Sequence, residues 1–418
     1  MFKKLLLASS LGFAFGAGAH ANTELTMYYP IAVGGPLTQV VDRFISEFES
    51  EHPEIRVKAV YSGNYDETRV RALSALRAGE PVQLSVLGAL DTHDLVEQGL
   101  VESFSELATS SENQQWIDSF YPALMANGTL DGQVWGIPFQ RSTIVMYYNK
   151  DMFKAAGLDP EKAPATWDEM VETASKLKAE GRHGLMIPST GYPYWMFQAL
   201  ALQNGQQLMN EDGTEVYLNT PESVQALTFF RDLAEKHEVS PAGTIEWGTL
   251  RQAFVQGQTA MMWHTTGNLT AVKDEAGFDF GVAMLPASKA PASPTGGGNF
   301  YLFKGAEDAQ KDAALTFVKW MTAPERAAQW SMATGYVATS PAAYETETLQ
   351  SYAAEFPQAV VARDQLAVAF PEFATYETAR VRELVSNAVQ AVLTGSATPQ
   401  EALDNAQQSA ERLLRPFN

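Results

Sequence analysis

The segment LTMYYPIAVGGPLTQVVDRFISEFESEHPEIRVKAVY (residues 25–61) decides the fold class, because it joins two apolar strands through one amphipathic helix. Apolar residues recur at three- and four-residue spacing along that helix, from Val40 to Phe48, with charged residues between them. The alternation continues, and the predicted elements are strand 25–29, helix 37–51, strand 55–61, helix 66–78 and strand 82–87. A β-α-β-α-β order predicts mainly parallel strands with helices on both faces of the sheet. Such sheets bind ligands at the carboxyl ends of their strands.

The rest of the chain continues to alternate strand and helix signals, without an internal repeat or a low-complexity linker. β-favouring residues recur at 143–148, 278–284 and 299–303, and helical patterns dominate after residue 309. We therefore predict an α/β protein of two lobes with mixed, mainly parallel sheets and a ligand cleft at a multi-strand hinge. The predicted lobes are residues 22–139 plus 277–336, and residues 140–276 plus 337–418.

The composition excludes several functional classes. The chain has 418 residues, 45% of them hydrophobic, with 29 basic and 49 acidic residues and a formal net charge of −20. Nucleic acids and anionic membranes are bound through clustered Lys and Arg, so neither is an expected partner. The absence of cysteine excludes a disulfide, a thiolate metal centre and a cysteine nucleophile.

The first 21 residues have the pattern of a cleavable signal peptide. Lys3 and Lys4 give a basic start, an apolar stretch follows at residues 5–15, and Ala19-His20-Ala21 supplies small residues at a cleavage site. The apolar stretch is too short to span a bilayer, which takes roughly 20 residues. We expect cleavage after Ala21 and a mature protein that is free in the periplasm.

The familiar motifs of catalysis and cofactor binding do not occur in the sequence. The histidines lack the His-Glu-x-x-His spacing of a zinc site. The Gly-x-Ser-x-Gly motif that carries the nucleophile of serine hydrolases is also absent from the sequence. The run Gly296-Gly297-Gly298 lacks the Gly-Lys-Ser/Thr ending of a phosphate loop, although residues without a Cβ allow a ligand to approach the backbone closely. We expect no catalytic residue, no cofactor and no metal.

An aromatic cluster, YPYWMF at residues 192–197, follows a loop and leads into a helix. Tyrosine and tryptophan at such a position offer a flat apolar wall together with a hydrogen bond to a polar ligand. Helical spacing buries some of these rings in the core, and we predict that Tyr192 and Trp195 belong to the binding cleft.

Several segments together resemble the substrate-binding proteins of ABC importers, in their maltodextrin-binding-like group. They are residues 136–138 (GIP), 146–153 (MYYNKDMF), 156–158 (AGL), 164–169 (PATWDE), 257–263 (GQTAMMW) and 334–336 (TGY). The resemblance spans nearly the whole chain after residue 21. It implies the two-lobed periplasmic binding protein fold, with a cleft between the lobes and no reactive group.

Within that group the sequence is most similar to the binding proteins for sn-glycerol 3-phosphate and glycerophosphodiesters. The similar stretches include residues 62–65 (SGNY), 138–143 (PFQRST), 265–269 (TTGNL) and 398–404 (TPQEALD). The resemblance implies a set of cleft residues, which fall here on Tyr65, Ser142, Thr266 or its neighbour Thr265, Gly297 or Gly296, Tyr336 and Arg382.

The arginine of this set holds the ligand phosphate in the family, and its planar guanidinium suits that task because it donates two parallel hydrogen bonds. Arg382 is the predicted equivalent, with Arg380 and Arg141 as alternatives. Three features depart from the family pattern, and one of them is Arg141 in place of a small polar residue next to Ser142. Tyr192 and Trp195 have the spacing of a family tryptophan pair, and Gly88 corresponds to a family carboxylate.

The sequence therefore predicts a monomeric, non-enzymatic, periplasmic solute-binding protein that captures a glycerol phosphate compound and delivers it to the permease of an ABC importer. The loss of the carboxylate at Gly88 favours a bulkier glycerophosphodiester, such as glycerophosphocholine. A neutral oligosaccharide or polyol as the ligand is the first alternative, and the aromatic cluster supports it. A secreted phosphodiester or glycan hydrolase is the second alternative.

Overall fold

The computed structural model describes residues 22–418, and the predicted signal peptide, residues 1–21, lies outside the described residues. The strands are β1 (Thr23–Tyr29), β2 (Ile55–Tyr61), β3 (Leu84–Gly88), β4 (Thr129–Leu130), β5 (Gln133–Val134), β6 (Ile137–Asn149), β7 (His183–Met186), β8 (Thr259–Thr265), β9 (Phe280–Ala283), β10 (Ser293–Leu302) and β11 (Ala369–Phe370).

Helices in the first part of the chain are α1 (Leu37–Glu51), α2 (Tyr65–Arg77), α3 (Thr92–Glu97), α4 (Phe104–Leu107), α5 (Ser111–Asp118), α6 (Pro122–Met125), α7 (Lys150–Ala155), α8 (Trp167–Leu177), α9 (Pro193–Gln203) and α10 (Pro221–Glu235). They are followed by α11 (Trp247–Val255), α12 (Leu269–Glu275), α13 (Asp308–Met321), α14 (Pro324–Thr334), α15 (Pro341–Tyr344), α16 (Glu347–Glu355), α17 (Val361–Gln365), α18 (Thr378–Leu393) and α19 (Pro399–Leu414). Within residues 22–418, none of these helices is long and apolar enough to cross a membrane.

One mixed sheet carries most of the strands, in the order β2-β1-β3-β10-β6-β8-β7, with β11 beside β10 and β9 beside β6. β1 pairs in parallel with β2 and β3, as the predicted N-terminal unit requires. β10 is antiparallel to β3 and β6, and β6 is antiparallel to β8 and β9. The expectation of mainly parallel strands therefore applies to the N-terminal unit, and the β7–β8 and β10–β11 pairs are also parallel. It does not extend to β6 and β10, because these long strands run past each other in opposite directions.

Two large apolar cores lie on either side of the β6–β10 pair. The first is built from β1, β2, β3, α1, α13 and α14 with the first part of β6 and the end of β10. The second is built from α8, α9, α10, α18, α19, β7 and β8 with the later part of β6. We call the two parts of the molecule around these cores the first and second lobes. All 13 residues of β6 are buried, because the strand contributes to both cores in turn.

Local sequence fixes the start of α2, which carries the predicted binding residue Tyr65. The Asn64 side chain accepts a hydrogen bond from the Glu67 backbone N–H, and the Glu67 carboxylate accepts one from the Asn64 N–H. This capping box satisfies two backbone donors that would otherwise lack partners. Tyr65 is thereby held as the first helical residue, four residues after the carboxyl end of β2.

The glycine run in β10 allows close contact with β6. Gly297 has φ +98°, and a Cβ at this position would stand 1.8 Å from the Gln140 carbonyl oxygen. The pairing register between the two strands shifts between Gly298 and Asn299. Only glycine fits Gly297, since a side chain would meet backbone and the left-handed conformation would be strained.

We expect Gly297→Ala to lower the free energy of unfolding by at least about 1–3 kcal/mol, through backbone strain and separation of β6 from β10. Urea denaturation measures the change. Gly277→Ala is the control, because Gly277 is exposed and has open space around its Cα. Equal stability of the two variants would contradict the proposed close approach.

Candidate ligand-binding site

A cleft lies between the two lobes where β6 and β10 pass each other. It holds about 500 Å³ of empty space, including space open to solvent. All but one of the predicted binding residues line this cleft: Tyr65, Ser142, Tyr192, Trp195, Gly297, Tyr336 and Arg382.

Thr266 is the predicted residue that does not line the cleft, and its neighbour Thr265 takes that place. Thr265 is the last residue of β8, and its Oγ1 accepts a hydrogen bond from the Gly267 N–H at 3.1 Å. Thr266 begins a short 3₁₀ turn and is buried. The two threonines differ in position because successive residues at a strand end face different sides.

Two tyrosines that the sequence predicted stand on the first-lobe side of the cleft. The Tyr65 hydroxyl donates to Gln140 Oε1 at 3.0 Å. The Tyr336 ring is stacked on Trp330, with ring centroids 6.2 Å apart and planes at 7°. Burial raises the pKa of Tyr336 to about 12, so its hydroxyl stays neutral and can donate to a ligand.

Aromatic rings form the opposite wall, around the start of α9. Trp195 Nε1 donates to the Thr295 carbonyl at 2.9 Å, and the Trp195 ring packs where a Cβ at Gly296 would stand. Trp247 lies edge-on to Tyr192, with ring centroids 4.7 Å apart. Its Nε1 donates to the Ala32 carbonyl at 3.1 Å and so joins the two lobes across the cleft. The sequence analysis did not identify Trp247, which is the first residue of α11.

Arg382 is the one basic side chain that the structure places along the cleft within residues 22–418. It lies on α18, and its guanidinium forms an ion pair with Asp66 of α2. The guanidinium carbon also lies 5.4 Å from the centre of the Tyr194 ring. The Arg382 side chain is 16% exposed and that of Asp66 is 58% exposed, so the carboxylate can turn towards solvent.

The alternative arginines lie elsewhere. Arg380, two residues away on the same helix, is 62% exposed and paired with Glu377 outside the cleft. Arg141 is fully buried, and its Nη1 and Nη2 donate to Asn299 Oδ1 at 3.2 Å and Thr295 Oγ1 at 3.1 Å. Arg141 is not among the residues that line the cleft, and its charge acts on Glu372 from behind that lining.

A carboxylate occupies the space beside Gly88, the position that corresponds to a carboxylate residue in the resembling family. Asp91, three residues later, is buried, and a Cβ at Gly88 would stand 3.1 Å from Asp91 Oδ2. Arg69 Nε lies 3.3 Å from Asp91 Oδ1. Burial raises the pKa of Asp91 to about 6, although the charges of Arg69 and Arg382 oppose the rise.

A second buried carboxylate in the cleft is Glu372, which the sequence analysis did not identify. It is 4% exposed and lies between β11 and α18. Its Oε1 accepts a hydrogen bond from the Tyr194 hydroxyl at 2.8 Å, whereas Oε2 has no partner. Burial raises the pKa of Glu372 to about 7, and Arg141 partly opposes that shift. No motif marks this residue in the sequence, where it is one of many acidic side chains.

The arrangement suits the binding of a small polar ligand. It offers one cation, Arg382, aromatic walls on both sides and acceptors at Asp91 and Glu372. Within residues 22–418, no group of three or more metal-ligating side chains occurs. His264, behind Trp247, is buried, and burial lowers its pKa to about 4, so it remains a neutral ring that packs against the indole.

Residues 43–358 match the family model of the bacterial extracellular solute-binding proteins, which covers more than half of the chain. The chain therefore belongs to this family of substrate-binding components of ABC importers. The family resemblance and the two-lobed fold predicted from the sequence are thereby confirmed. The relatives are binding proteins and not enzymes, so nothing among them supports the hydrolase alternative.

Individual relatives agree with this assignment. The sn-glycerol-3-phosphate-binding periplasmic protein UgpB of Escherichia coli strain K12 is 29% identical over 430 residues, which cover 98% of this chain and 97% of UgpB. The structure of UgpB from Mycobacterium tuberculosis in complex with glycerophosphocholine has a TM-score of 0.83 at 23% identity, covering 93% of this chain and 98% of that one. Maltose-bound MalE3 from T. maritima also has a TM-score of 0.83, at 24% identity, covering 94% of this chain and all of that chain.

The buried Glu372 makes the stability of the ligand-free protein depend on pH. Its folded-state pKa of about 7 lies above the ordinary value of 4.5, so the folded state holds this proton more tightly than the unfolded state. The stabilising contribution is complete below about pH 4.5 and is lost as pH rises through 7, an effect of up to about 3 kcal/mol. Urea denaturation should show the wild type losing stability relative to Glu372→Gln between about pH 5 and pH 8. A constant difference between the two proteins over that range would contradict the assignment.

Proposed function

We propose that the protein is a periplasmic binding protein for sn-glycerol 3-phosphate or a glycerophosphodiester, which it delivers to the permease of an ABC importer. The observation that carries the proposal is Arg382, a cation on the cleft wall whose partner Asp66 is mostly exposed. A phosphate can replace that carboxylate as a bidentate partner of the guanidinium. The match with UgpB over nearly the full length of both chains supports the same ligand class.

The charges around Arg382 favour a diester over a monoester. Three carboxyl groups, those of Asp66, Asp91 and Glu372, line the same cleft as this single arginine. A dianionic monoester therefore meets more repulsion than a monoanionic diester does. Aromatic faces such as Trp247 and Tyr192 can hold a quaternary ammonium, each contact contributing about 0.5–2 kcal/mol. We expect glycerophosphocholine to bind at least as tightly as glycerol 3-phosphate.

A neutral oligosaccharide or polyol is the alternative ligand. The aromatic wall at Tyr192, Trp195 and Trp247 favours it, because sugars stack their apolar faces on such rings. The fold shared with maltose-bound MalE3 is compatible with this reading.

The proposed working unit is a monomer exported by the leader at residues 1–21. Its lobes are proposed to be residues 22–139 plus 277–336, and residues 140–276 plus 337–418, with β9 assigned to the second lobe because it pairs with the later part of β6. Hinge motion at β6 and β10 would bring Tyr65 and Arg382, which stand on different lobes, onto one ligand.

Calorimetric titration tests the ligand class directly. Glycerol 3-phosphate, glycerophosphocholine, maltose and glycerol are titrated into the mature protein at one pH and ionic strength. Binding of both phosphate compounds without binding of the neutral pair is the expected result. Binding of maltose alone would overturn the proposal in favour of the sugar alternative. A clear preference for glycerol 3-phosphate would contradict the expected order of the two phosphate ligands.

We expect Arg382→Ala to weaken binding of glycerophosphocholine by about 30-fold to several thousand-fold, because removing one member of a desolvated charge pair costs about 2–5 kcal/mol. Arg380→Ala is the matched control, since it removes the same charge from an exposed position on the same helix. Calorimetry gives both affinities, and thermal unfolding checks that the ligand-free variants remain folded. Equal affinities in the two variants would remove Arg382 from the site.

A further inference from the structure

Three hydrogen bonds hold Glu372 in place, although one of its carboxylate oxygens has no partner. The Glu372 backbone N–H donates to Asn127 Oδ1 at 2.8 Å, and Asn127 Nδ2 donates to the Glu372 carbonyl at 2.9 Å. The Tyr194 hydroxyl fixes Oε1 at 2.8 Å. The first two bonds hold the Glu372 backbone and the third positions its carboxylate, so the residue is held in place in the cleft lining.

An unpaired buried carboxylate oxygen is unusual. Buried polar atoms in native proteins almost always have a hydrogen-bond partner, because an unsatisfied group loses its hydration without compensation. Oε2 of Glu372 is fully buried without a donor, and the residue lines the ligand cleft. A ligand with a hydrogen-bond donor next to Oε2 would therefore supply the partner that this oxygen lacks.

Neighbouring cations do not supply that donor. Arg141 offsets the charge of Glu372, but its Nη1 and Nη2 donate to Asn299 and Thr295 and no hydrogen bond joins it to the Glu372 carboxylate. Arg382 forms its ion pair with Asp66. Asp91, the other carboxylate at this end of the cleft, is paired with Arg69. Glu372 is thus the carboxylate whose acceptor capacity is left for the ligand.

We propose that Glu372 is a specificity-determining residue, whose Oε2 accepts a hydrogen bond from a hydroxyl group of the ligand's glycerol moiety while Arg382 binds the phosphate. This inference rests on the proposed function and adds the recognition of the second end of the ligand. In this chain the acceptor comes from the second lobe, next to Tyr194, whereas Gly88 on the first lobe has no side chain to offer.

The test combines ligand and protein changes at constant ligand charge. Glycerol 3-phosphate is compared by calorimetry with its two deoxy analogues, propane-1,2-diol 1-phosphate and 3-hydroxypropyl phosphate. In the wild type, at least one analogue should bind about tenfold or more weakly, because it leaves Oε2 unpaired. In Glu372→Ala the same analogue and the parent should bind within about threefold of each other. Glu372→Gln, which keeps the side-chain shape, serves as the second variant if the alanine variant is unstable, and should show a reduced ratio.

Glu377→Gln is the matched control, since it removes a negative charge five residues along the same segment but outside the cleft, and it should keep the wild-type ratio. A wild-type ratio in the Glu372 variants would overturn the role of Glu372 and leave the proposed function intact. If the Glu372 variants lose affinity for glycerophosphocholine while the ratio stays unchanged, the residue faces the choline end and the hydroxyl assignment is wrong. Absence of phosphate-ligand binding in the wild type would overturn both the proposed function and this inference.

Discussion

The hydrogen-bonded contact between β6 and β10 is the constraint on which the rest of the structure depends. β6 is buried along its whole length and passes from the first core into the second, and β10 runs beside it in the opposite direction. The pair can approach this closely only because Gly297 has no side chain. The same glycine run receives the Trp195 ring at Gly296, so the hinge and the ligand wall share one set of backbone atoms. A change that separates these strands therefore disturbs the site and the lobe connection together.

The electrostatics of the cleft depend on cations placed behind its walls. Asp91 and Glu372 face the ligand space, while Arg69 and Arg141 stand outside the lining and reduce the cost of burying their charges. Both carboxyl groups still have raised pKa values, because burial outweighs these attractions. The carboxyl groups of Asp91 and Glu372 therefore change protonation state close to neutral pH. A bound cation or hydroxyl donor would hold these groups ionised, whereas an added anion would favour their protonation.

Local patterns in the sequence predicted the N-terminal strands and helices well, because α1 has a regular apolar face and β1 to β3 follow strand signals of ordinary length. β6 was predicted from residue 143 but begins at Ile137, since Gln140 and Arg141 interrupt the apolar run although both are buried. Arg382 was found through the family resemblance and not through any local signal. Glu372 was not predictable in this way, because it is positioned by contacts distant in the sequence, with Asn127 245 residues away and Tyr194 178 residues away. Long-range packing of this kind leaves no periodic mark on a single sequence.

The contacts that join the lobes across the cleft bear on how a ligand would act. The Arg382–Asp66 ion pair and the Trp247–Ala32 hydrogen bond both connect the lobes next to the ligand space. A phosphate that binds Arg382 must displace Asp66. The net binding free energy is therefore the difference between the guanidinium–phosphate and guanidinium–carboxylate interactions. Asp66 is mostly exposed and loses little by returning to water, which keeps the cost of that exchange low. The positive charge of Arg382 therefore has an anionic partner whether or not a ligand is bound. Asp66 would then select against anions that bind the guanidinium more weakly than a carboxylate does. Selection between phosphate esters would come from the residues that contact the other end of the ligand.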